Sequence, residues 1–390
     1  MDAPRSRVHV GASAVPLYTL VDPTAEGQRL HEGGVSQAVV HAHLQLPRQH
    51  AYASLMLNLE GKTIPNGELT TGAWGEGYVD RRHPHTYLHE AIVGVSDSLA
   101  GVAWSLTGGR GFAPFGSDDP MSRPFAKYPV NHHLAQVLER TVAIAGARWR
   151  AVTVEGGVFN GDEPITPGSG FSTRRFADSW SARLTARPAA RMELTASYAH
   201  VSSPEFYDPQ GFHQWKAHAS LRWTDRMSYA LLEWARTREG EVDARGFTYS
   251  SVLGEVKHTA RWTEIAARVE LSDRPEESRR SPFRTQRPAI DFSLLGVTRF
   301  VTSTVHVSRP VRAGRVAVVP FVEGAWIHAS PRMRPTAFDP ASYYGHEQMT
   351  MLTAGARIGL GASHGRMGRY GVATDADGGH HYGNLSAGHE

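Results

Sequence analysis

The chain has 390 residues, contains no cysteine, and carries 41 Lys and Arg residues against 38 Asp and Glu residues. The absence of cysteine excludes a disulfide framework and a thiolate metal site. The nearly balanced charge gives no reason to expect a nucleic-acid partner, and no run of about 18 apolar residues is present that would predict a transmembrane helix.

The first residues carry no apolar run of the kind that a secretory signal peptide needs. We interpret Met1 as the replacement for a removed leader, and a cytosolic protein is the alternative. Alternation of apolar and polar residues then begins, weakly over residues 8–14 and clearly over residues 38–46, where apolar residues occupy the even positions. Residues 54–60 continue it with leucine at the odd positions. This period of two predicts β-strands with two different faces.

The clearest predicted strands lie in the middle and at the end of the chain. Between Trp215 and Thr224 every odd-numbered residue is apolar and every even-numbered residue is polar. Alternation of the same period covers residues 180–187, 192–198, 263–271 and 352–360, with the apolar residues at even positions in all but 263–271. A helix would not sustain this period over so many segments.

The connections between the predicted strands alternate between short and long. Short turns are expected near residues 47–51, 97–100, 149–152, 188–191, 224–227, 258–261 and 309–314. Long connections are expected near residues 18–34, 61–86, 108–140, 161–179, 202–212, 239–246, 273–290 and 329–348. Seven short turns join seven pairs of strands, and one more strand at each end brings the prediction to sixteen. Fourteen is the alternative, if the first segment lies outside the sheet.

Three segments depart from the regular pattern. Pro320 lies inside the predicted strand 316–327, where a closed sheet has no free edge for proline, so we expect a bulge there. Residues 229–235 and 247–258 lose the alternation, which predicts further bulges or misplaced strand boundaries.

The apolar faces are expected to contact lipid. The segments are about ten residues long, as a tilted strand needs to cross a bilayer, and aromatic residues stand at their ends. Trp215 and Trp223 share a face and lie roughly 20 Å apart along the membrane normal. The apolar faces also contain many alanines, which a lipid-facing surface tolerates better than a soluble core. We therefore predict an all-β fold, a closed antiparallel transmembrane β-barrel with short periplasmic turns and long external loops. A soluble sandwich or barrel is the alternative.

This arrangement resembles the general and substrate-selective porins of Gram-negative outer membranes. The resemblance covers nearly the whole chain, but it is one of architecture. The stretches 75–86 and 127–136 look like those of an uncharacterised porin-like bacterial family. The resemblance implies a bacterial outer-membrane location, outer-membrane lipid as a partner, and a homo-oligomer as an open possibility. Such barrels usually end on an aromatic residue, a position for which Tyr370 is the candidate. Residues 1–372 are predicted to form the barrel, and the Gly- and His-rich tail 373–390 is predicted to be disordered.

The polar faces are predicted to line a wet lumen. Rings of charge set ion preference in pores, whereas ion pairs along the wall would only hold the strands together, and both interpretations stay open. The predicted pore-lining residues are Gln37, His41, His43, Asn58, Glu60, Glu155, Arg183, Arg187, Glu193, Lys216, His218, Arg222, Glu264, Arg268, Glu270 and Arg357.

The longest connection, residues 108–140, is predicted to fold inward and narrow the pore. Asp118, Asp119, Arg123 and Lys127 are the candidate constriction residues, and residues 134–140 are predicted to form a short helix. The alternative is an external loop that packs over the mouth of the barrel.

Two chemical alternatives rest on polar clusters. His83, His85, His89 and Glu90 form a candidate Zn²⁺ or Cu²⁺ site, although their spacing matches no defined motif. Hydrogen-bonded histidines without metal are the alternative. For an outer-membrane hydrolase, Ser105, His89 and Asn131 can be assembled into a nucleophilic set only by free choice, and no nucleophile elbow is present.

The function predicted from these patterns is passive diffusion of small polar or charged solutes, without a cofactor or an enzymatic activity. The alternatives are a barrel that binds or exports metal, an outer-membrane hydrolase, and a structural barrel with a plugged lumen.

Overall fold

The computed structural model describes residues 7–22, 29–46, 50–63, 86–117, 120–126, 129–130, 132–164, 167–202, 212–241, 246–277, 279–281, 284–285, 294–313, 316–332, 338–363 and 366–374. Among these residues, no helix has the length and the apolar composition to cross a membrane.

Sixteen antiparallel strands form one closed barrel. They are β1 (Arg7–Asp22), β2 (Leu30–Gln45), β3 (Ala51–Asn58), β4 (Leu88–Leu99), β5 (Val102–Gly111), β6 (Arg140–Trp149), β7 (Val152–Phe159), β8 (Ser179–Ala189), β9 (Met192–Val201), β10 (His213–Thr224), β11 (Ser228–Gly240), β12 (Phe247–Ala260), β13 (Thr263–Glu277), β14 (Leu294–Ser308), β15 (Val316–Pro331) and β16 (Gln348–Gly361). Each strand pairs with its neighbours in the sequence, and β1 closes the barrel by pairing with both β2 and β16. The prediction of a closed barrel of about sixteen strands is confirmed.

Several short elements lie outside the sixteen strands. Strand segments Arg279–Ser281 and Arg284–Thr285 pair with each other, and Val311–Ala313 pairs with the start of β15. The described residues include two short helices, α1 (Glu60–Thr63) and α2 (Pro340–Tyr344). Single 3₁₀ turns cover Pro120–Ser122, His132–Ala135 and Gly371–Ala373.

The first long connection is shorter than predicted. Residues 18–22 belong to β1 and residues 30–34 belong to β2, so the predicted loop 18–34 was too long at both ends. The two glycines Gly33 and Gly34 gave the appearance of a loop, but they pair with Tyr18 and Leu17 in the ladder between the two strands. A bulge between Ser13 and Val15 explains why the alternation of β1 looked weak.

The bulge predicted at Pro320 is absent. Pro320 pairs in unshifted register with Ala356 of β16. Its carbonyl oxygen accepts a hydrogen bond from the Arg309 N–H at 3.1 Å, so the edge that lacks an N–H faces β14. Pairing along this edge stops at Ser308 with Phe321 and resumes in the same register at Val311 with Val318. The missing donor therefore falls in a short gap of the ladder and shifts no register.

The bulges predicted in residues 229–235 and 247–258 are absent as well. Strands β11 and β12 pair without a shift from Ser228 with His258 to Glu239 with Phe247. The alternation is lost there because the barrel interior accepts apolar residues, among them the buried Tyr229 and Leu253.

Polarity is inverted relative to a soluble barrel. On β11 the outward Leu232 is 56% exposed, whereas its neighbour Glu233 is 1% exposed and points inward. The same contrast recurs around the barrel, with exposed valines, leucines and tryptophans outside and buried charged residues inside. An apolar surface this extensive is unfavourable in water and is typical of a protein that contacts lipid.

Candidate functional site

The interior of the barrel is the candidate site, because the polar residues converge there. Glu60 begins α1 rather than continuing the predicted strand 54–60, since β3 ends at Asn58. Twelve of the predicted pore-lining residues are buried: Gln37, His41, Asn58, Glu60, Glu155, Arg183, Glu193, Lys216, His218, Arg222, Arg268 and Glu270. The remaining four, His43, Arg187, Glu264 and Arg357, are half-buried. Whether any of them contacts a passing solute stays a prediction.

Several of the inward charges are paired across neighbouring strands. Arg183 on β8 donates two hydrogen bonds of 2.7 Å to Glu155 on β7. Lys257 on β12 lies 3.0 Å from Glu264 on β13. Paired charges of this kind stabilise the wall and are less available to a permeating ion, so part of the predicted pore lining also has a structural role.

The described residues between 112 and 139 lie inside the barrel. The segment leaves β5 at the end of the barrel that carries the long connections, and its described part is almost entirely buried. Three of its backbone N–H groups donate to lumenal side chains: that of Gly116 to Ser197, that of Ala126 to Glu323 and that of Val130 to Glu270. These acceptors lie on β9, β15 and β13, so the segment contacts distant parts of the wall.

Arg123 anchors this segment. Its guanidinium is 2.8 Å from Glu233 on β11 and 3.4 Å from Glu255 on β12. Glu233 also accepts a hydrogen bond of 2.7 Å from Ser117 of the same segment, and it lies 3.2 Å from His218. Arg123 is therefore a fixed, buried charge. The other candidate constriction residues, Asp118, Asp119 and Lys127, lie outside the described residues.

The short helix predicted over residues 134–140 is wrong. Leu134 and Ala135 end a 3₁₀ turn, the following residues are extended, and Arg140 is already the first residue of β6. Packing explains the difference, since residues 134–139 are all buried. An amphipathic surface helix turns its polar residues to solvent, whereas Gln136, Glu139 and Arg140 are buried here together with the apolar residues.

A second segment, residues 366–374, enters the interior from the opposite end, where β16 finishes and the short turns lie. Arg366 donates to Glu193 at 2.8 and 2.9 Å. Arg369 donates to Thr185 at 2.7 Å, and Val372 N–H donates to the Ser105 hydroxyl at 3.2 Å. These contacts attach the segment to β5, β8 and β9.

The two interior segments meet each other. Arg369 donates to the carbonyl oxygen of Ser117 at 2.7 Å, and the Tyr370 hydroxyl accepts a hydrogen bond of 3.0 Å from Phe112 N–H. The same hydroxyl donates to Glu90 on β4. Tyr370 is therefore buried inside the barrel and is not the outward terminal aromatic for which it was the candidate. Ala373 is buried too, and residues 375–390 lie outside the described residues.

Comparison with known proteins gives matches in structure alone. No protein-family model matches the chain, and no curated protein matches it in sequence. An anion-selective porin from Comamonas acidovorans superposes with a TM-score of 0.58 at 9% identity, covering 91% of this chain and 100% of that chain. OprB from Pseudomonas putida superposes with a TM-score of 0.56 at 12% identity, covering 92% of this chain and 94% of that chain. The fold is that of a porin-like outer-membrane β-barrel.

A third match agrees with this assignment. The trimer form of OmpT, an outer membrane protein of Vibrio cholerae, superposes with a TM-score of 0.54 at 9% identity, covering 91% of this chain and 100% of that chain. Identity this low relates the porin-like barrel to these proteins in fold alone.

The candidate metal residues of the porin-like barrel are not brought together where they are described. A bulge opposite Met56 and Leu57 turns both His89 and Glu90 inward. His89 Nδ1 lies 2.5 Å from Glu139, and Glu90 accepts hydrogen bonds from Ser54 and Tyr370. His83 and His85 lie outside the described residues. In the part of the chain that is described, no group of three or more His, Asp or Glu side chains is placed to hold a metal ion.

The described residues of the candidate hydrolase set, Ser105 and His89, have other contacts and are not shown to contact each other. Ser105 accepts from Val372 N–H, and His89 is next to Glu139. Asn131 lies outside the described residues.

Several interior residues escaped sequence reasoning. Glu233 and Glu255 lie in the two segments where the alternation appeared to slip, so their inward position was hidden. Arg366 and Arg369 follow the last strand, where no periodic signal exists. Both arginines contact Glu193, and their spacing of three residues was the sequence feature that could have suggested a shared partner.

Proposed function

We propose that this chain is an outer-membrane channel for the passive diffusion of small polar or charged solutes. The observation that supports the proposal best is the inverted polarity of the sixteen-strand barrel, with apolar residues outside and charged residues inside. Sixteen strands enclose a space wide enough for an aqueous channel, whereas eight would be filled by their own side chains.

The two interior segments set the expected size of the solute. Residues 112–139 and 366–374 occupy part of the lumen and contact one another, so the free path is narrower than the barrel itself. We propose that it admits small solutes, such as hydrated ions, and excludes large ones. The proposed location is the bacterial outer membrane, with lipid around the barrel and a homo-oligomer as the assembled state.

The decisive experiment is conductance of the purified protein in a planar bilayer, together with the reversal potential in a salt gradient. We expect discrete current steps. A barrel that folds but stays electrically silent would contradict the proposal and favour a structural barrel with a plugged lumen, an alternative that the two interior segments support.

A matched pair of variants separates a lumenal effect from a change in overall charge. Glu233→Gln removes one of the two carboxylates that pair with Arg123 and so makes the interior charge more positive, whereas Glu241→Gln removes an exposed carboxylate beyond the end of β11. We expect the first to shift the reversal potential towards anion selectivity and the second to leave it unchanged. If both variants shift it equally, ions do not pass near Glu233.

A further inference from the structure

Exposed arginines recur along the end of the barrel that carries the short turns. Five successive connections, from the one between β6 and β7 to the one between β14 and β15, each carry an exposed arginine. The first four arginines lie in turns, and Arg309 lies at the break between Ser308 and Val311 in the ladder with β15. We call them the turn-end arginines: Arg150, Arg191, Arg226, Arg261 and Arg309. Successive hairpins are adjacent in the closed sheet, so these side chains form a continuous arc around one rim.

The arc has little compensating negative charge. Residues 149–152, 189–192, 224–228, 260–263 and 308–316, which form these turns, contain one acidic residue, Asp225. The Asp225 carboxylate accepts hydrogen bonds from the N–H groups of Met227 and Ser228, at 2.8 and 2.7 Å. These bonds hold the pKa of Asp225 below its usual range. Asp225 is therefore ionised and offsets one of the five positive charges, with Arg191 nearby, and the arc keeps a net positive charge.

Two of the arginines occupy backbone positions that do not favour them. Arg150 has φ 53° and Arg261 has φ 55°, both in the left-handed region that glycine and asparagine adopt most easily. The turn between β4 and β5 uses Ala100 and Gly101 in that region. The hairpin geometry therefore does not account for arginine at these two positions.

Neighbouring tryptophans indicate the depth of the arc. The guanidinium carbon of Arg150 lies 4.7 Å from the centre of the Trp149 ring, and Arg261 is followed by Trp262. Both tryptophans are exposed on the barrel surface. Exposed tryptophan at strand ends is typical of the membrane–water interface, so the turn-end arginines lie at the level of the lipid headgroups.

We propose that the turn-end arginines bind the phosphate groups of anionic phospholipid in the leaflet next to the short turns. A guanidinium presents a planar pair of N–H donors that matches a phosphate oxygen pair. Each basic residue near an anionic lipid surface strengthens association about fivefold. A cell-wall polymer also carries anions, but the interfacial depth of the arginines favours lipid.

The test is native mass spectrometry of the full chain extracted from vesicles that contain equal amounts of phosphatidylcholine and phosphatidylglycerol. We expect the wild type to retain phosphatidylglycerol in excess. A variant with all five turn-end arginines changed to glutamine is expected to lose that excess, and the corresponding lysine variant to keep part of it.

The control removes cations from the opposite rim. Arg29, Arg174, Arg236 and Arg238 are exposed at the end with the long connections, and their glutamine variant should retain the phosphatidylglycerol excess. Circular dichroism checks that every variant is folded, which is expected because all these side chains are exposed.

The proposal would be overturned if the wild type retained no excess of phosphatidylglycerol, or if both glutamine variants lost it equally. It would also be overturned if the turn-end arginines bound purified peptidoglycan and showed no preference for anionic lipid. The measurement needs no solute transport, so it is independent of the proposed channel function.

Discussion

Buried charge is the dominant feature at the scale of single residues. Arg183 and Glu155 are each 2% exposed. The Arg183 guanidinium is shared between that carboxylate and the carbonyl oxygen of Gly368, at 2.6 Å. One side chain therefore joins two wall strands to the segment that enters after the last strand. Removal of one partner would leave the other charge buried without compensation.

We expect Arg183→Ala to lower the free energy of unfolding by about 3 kcal/mol, because it leaves the Glu155 carboxylate buried without its partner cation. Urea titration in lipid vesicles measures the change. The control is Arg236→Ala, an exposed arginine on β11, which should change the free energy by less than about 0.5 kcal/mol. Equal effects of the two variants would show that the buried Arg183–Glu155 pair contributes no more to the free energy of unfolding than an exposed arginine does.

At the scale of elements, hairpins and their turns decide the register of the barrel. The turn between β4 and β5 places Ala100 at φ 50° and Gly101 at φ 80°. Both values match the two-residue turn whose twist suits a hairpin and whose preferred sequence is Asn-Gly. Ala100 is therefore the less suitable of the two residues.

We expect Ala100→Asn to raise the free energy of unfolding by about 1 kcal/mol, because asparagine adopts the left-handed region more easily than alanine. Gly101→Val should have the opposite sign, since a β-branched residue is poorly tolerated there. Urea midpoints of both variants test the pair. An unchanged midpoint for Ala100→Asn would mean that the turn relaxes away from this geometry.

The segment 366–374 is the other element with a testable role. Chain termination after Ser363 removes it while all sixteen strands remain. Arg366→Gln with Arg369→Gln weakens its attachment to Glu193 and Ser117 in the full-length chain. We expect a larger unitary conductance from both variants, because the segment occupies part of the lumen. If neither variant conducts more than the wild type, the segment does not restrict the pore.

At the scale of the whole molecule, the direction of each strand face determines the environment in which the barrel is stable. Outward residues such as Leu232 and Val93 are well exposed, while the interior holds paired charges. This distribution predicts a protein that requires lipid or detergent on its outer surface.

Leu232→Arg tests this environment. We expect a loss of about 2–4 kcal/mol in the free energy of unfolding from lipid vesicles, the cost of a cation facing the middle of the bilayer. Ala151→Arg, in the exposed turn between β6 and β7, serves as the control and should cost little. A Leu232→Arg variant as stable as its control would mean that the outer face is not embedded in lipid.

The sequence by itself determined the strands, their faces and their number. Alternation with a period of two follows from the geometry of each extended segment. The signal is therefore contained in a short stretch of sequence and can be found without knowledge of the fold. For the same reason, twelve of the sixteen predicted pore-lining residues are buried inside. Where inward residues are apolar, as at Tyr229, the local signal failed and false bulges were predicted.

The tertiary structure alone decided what occupies the interior. Residues 112–139 and 366–374 have no periodic pattern, and their contacts join residues far apart in the chain, as between Arg369 and Ser117 or Arg123 and Glu233. Such contacts depend on closure of the barrel, which brings distant strands around one space. No local property of either segment specifies them, because burial inside the barrel exists only after all sixteen strands have paired.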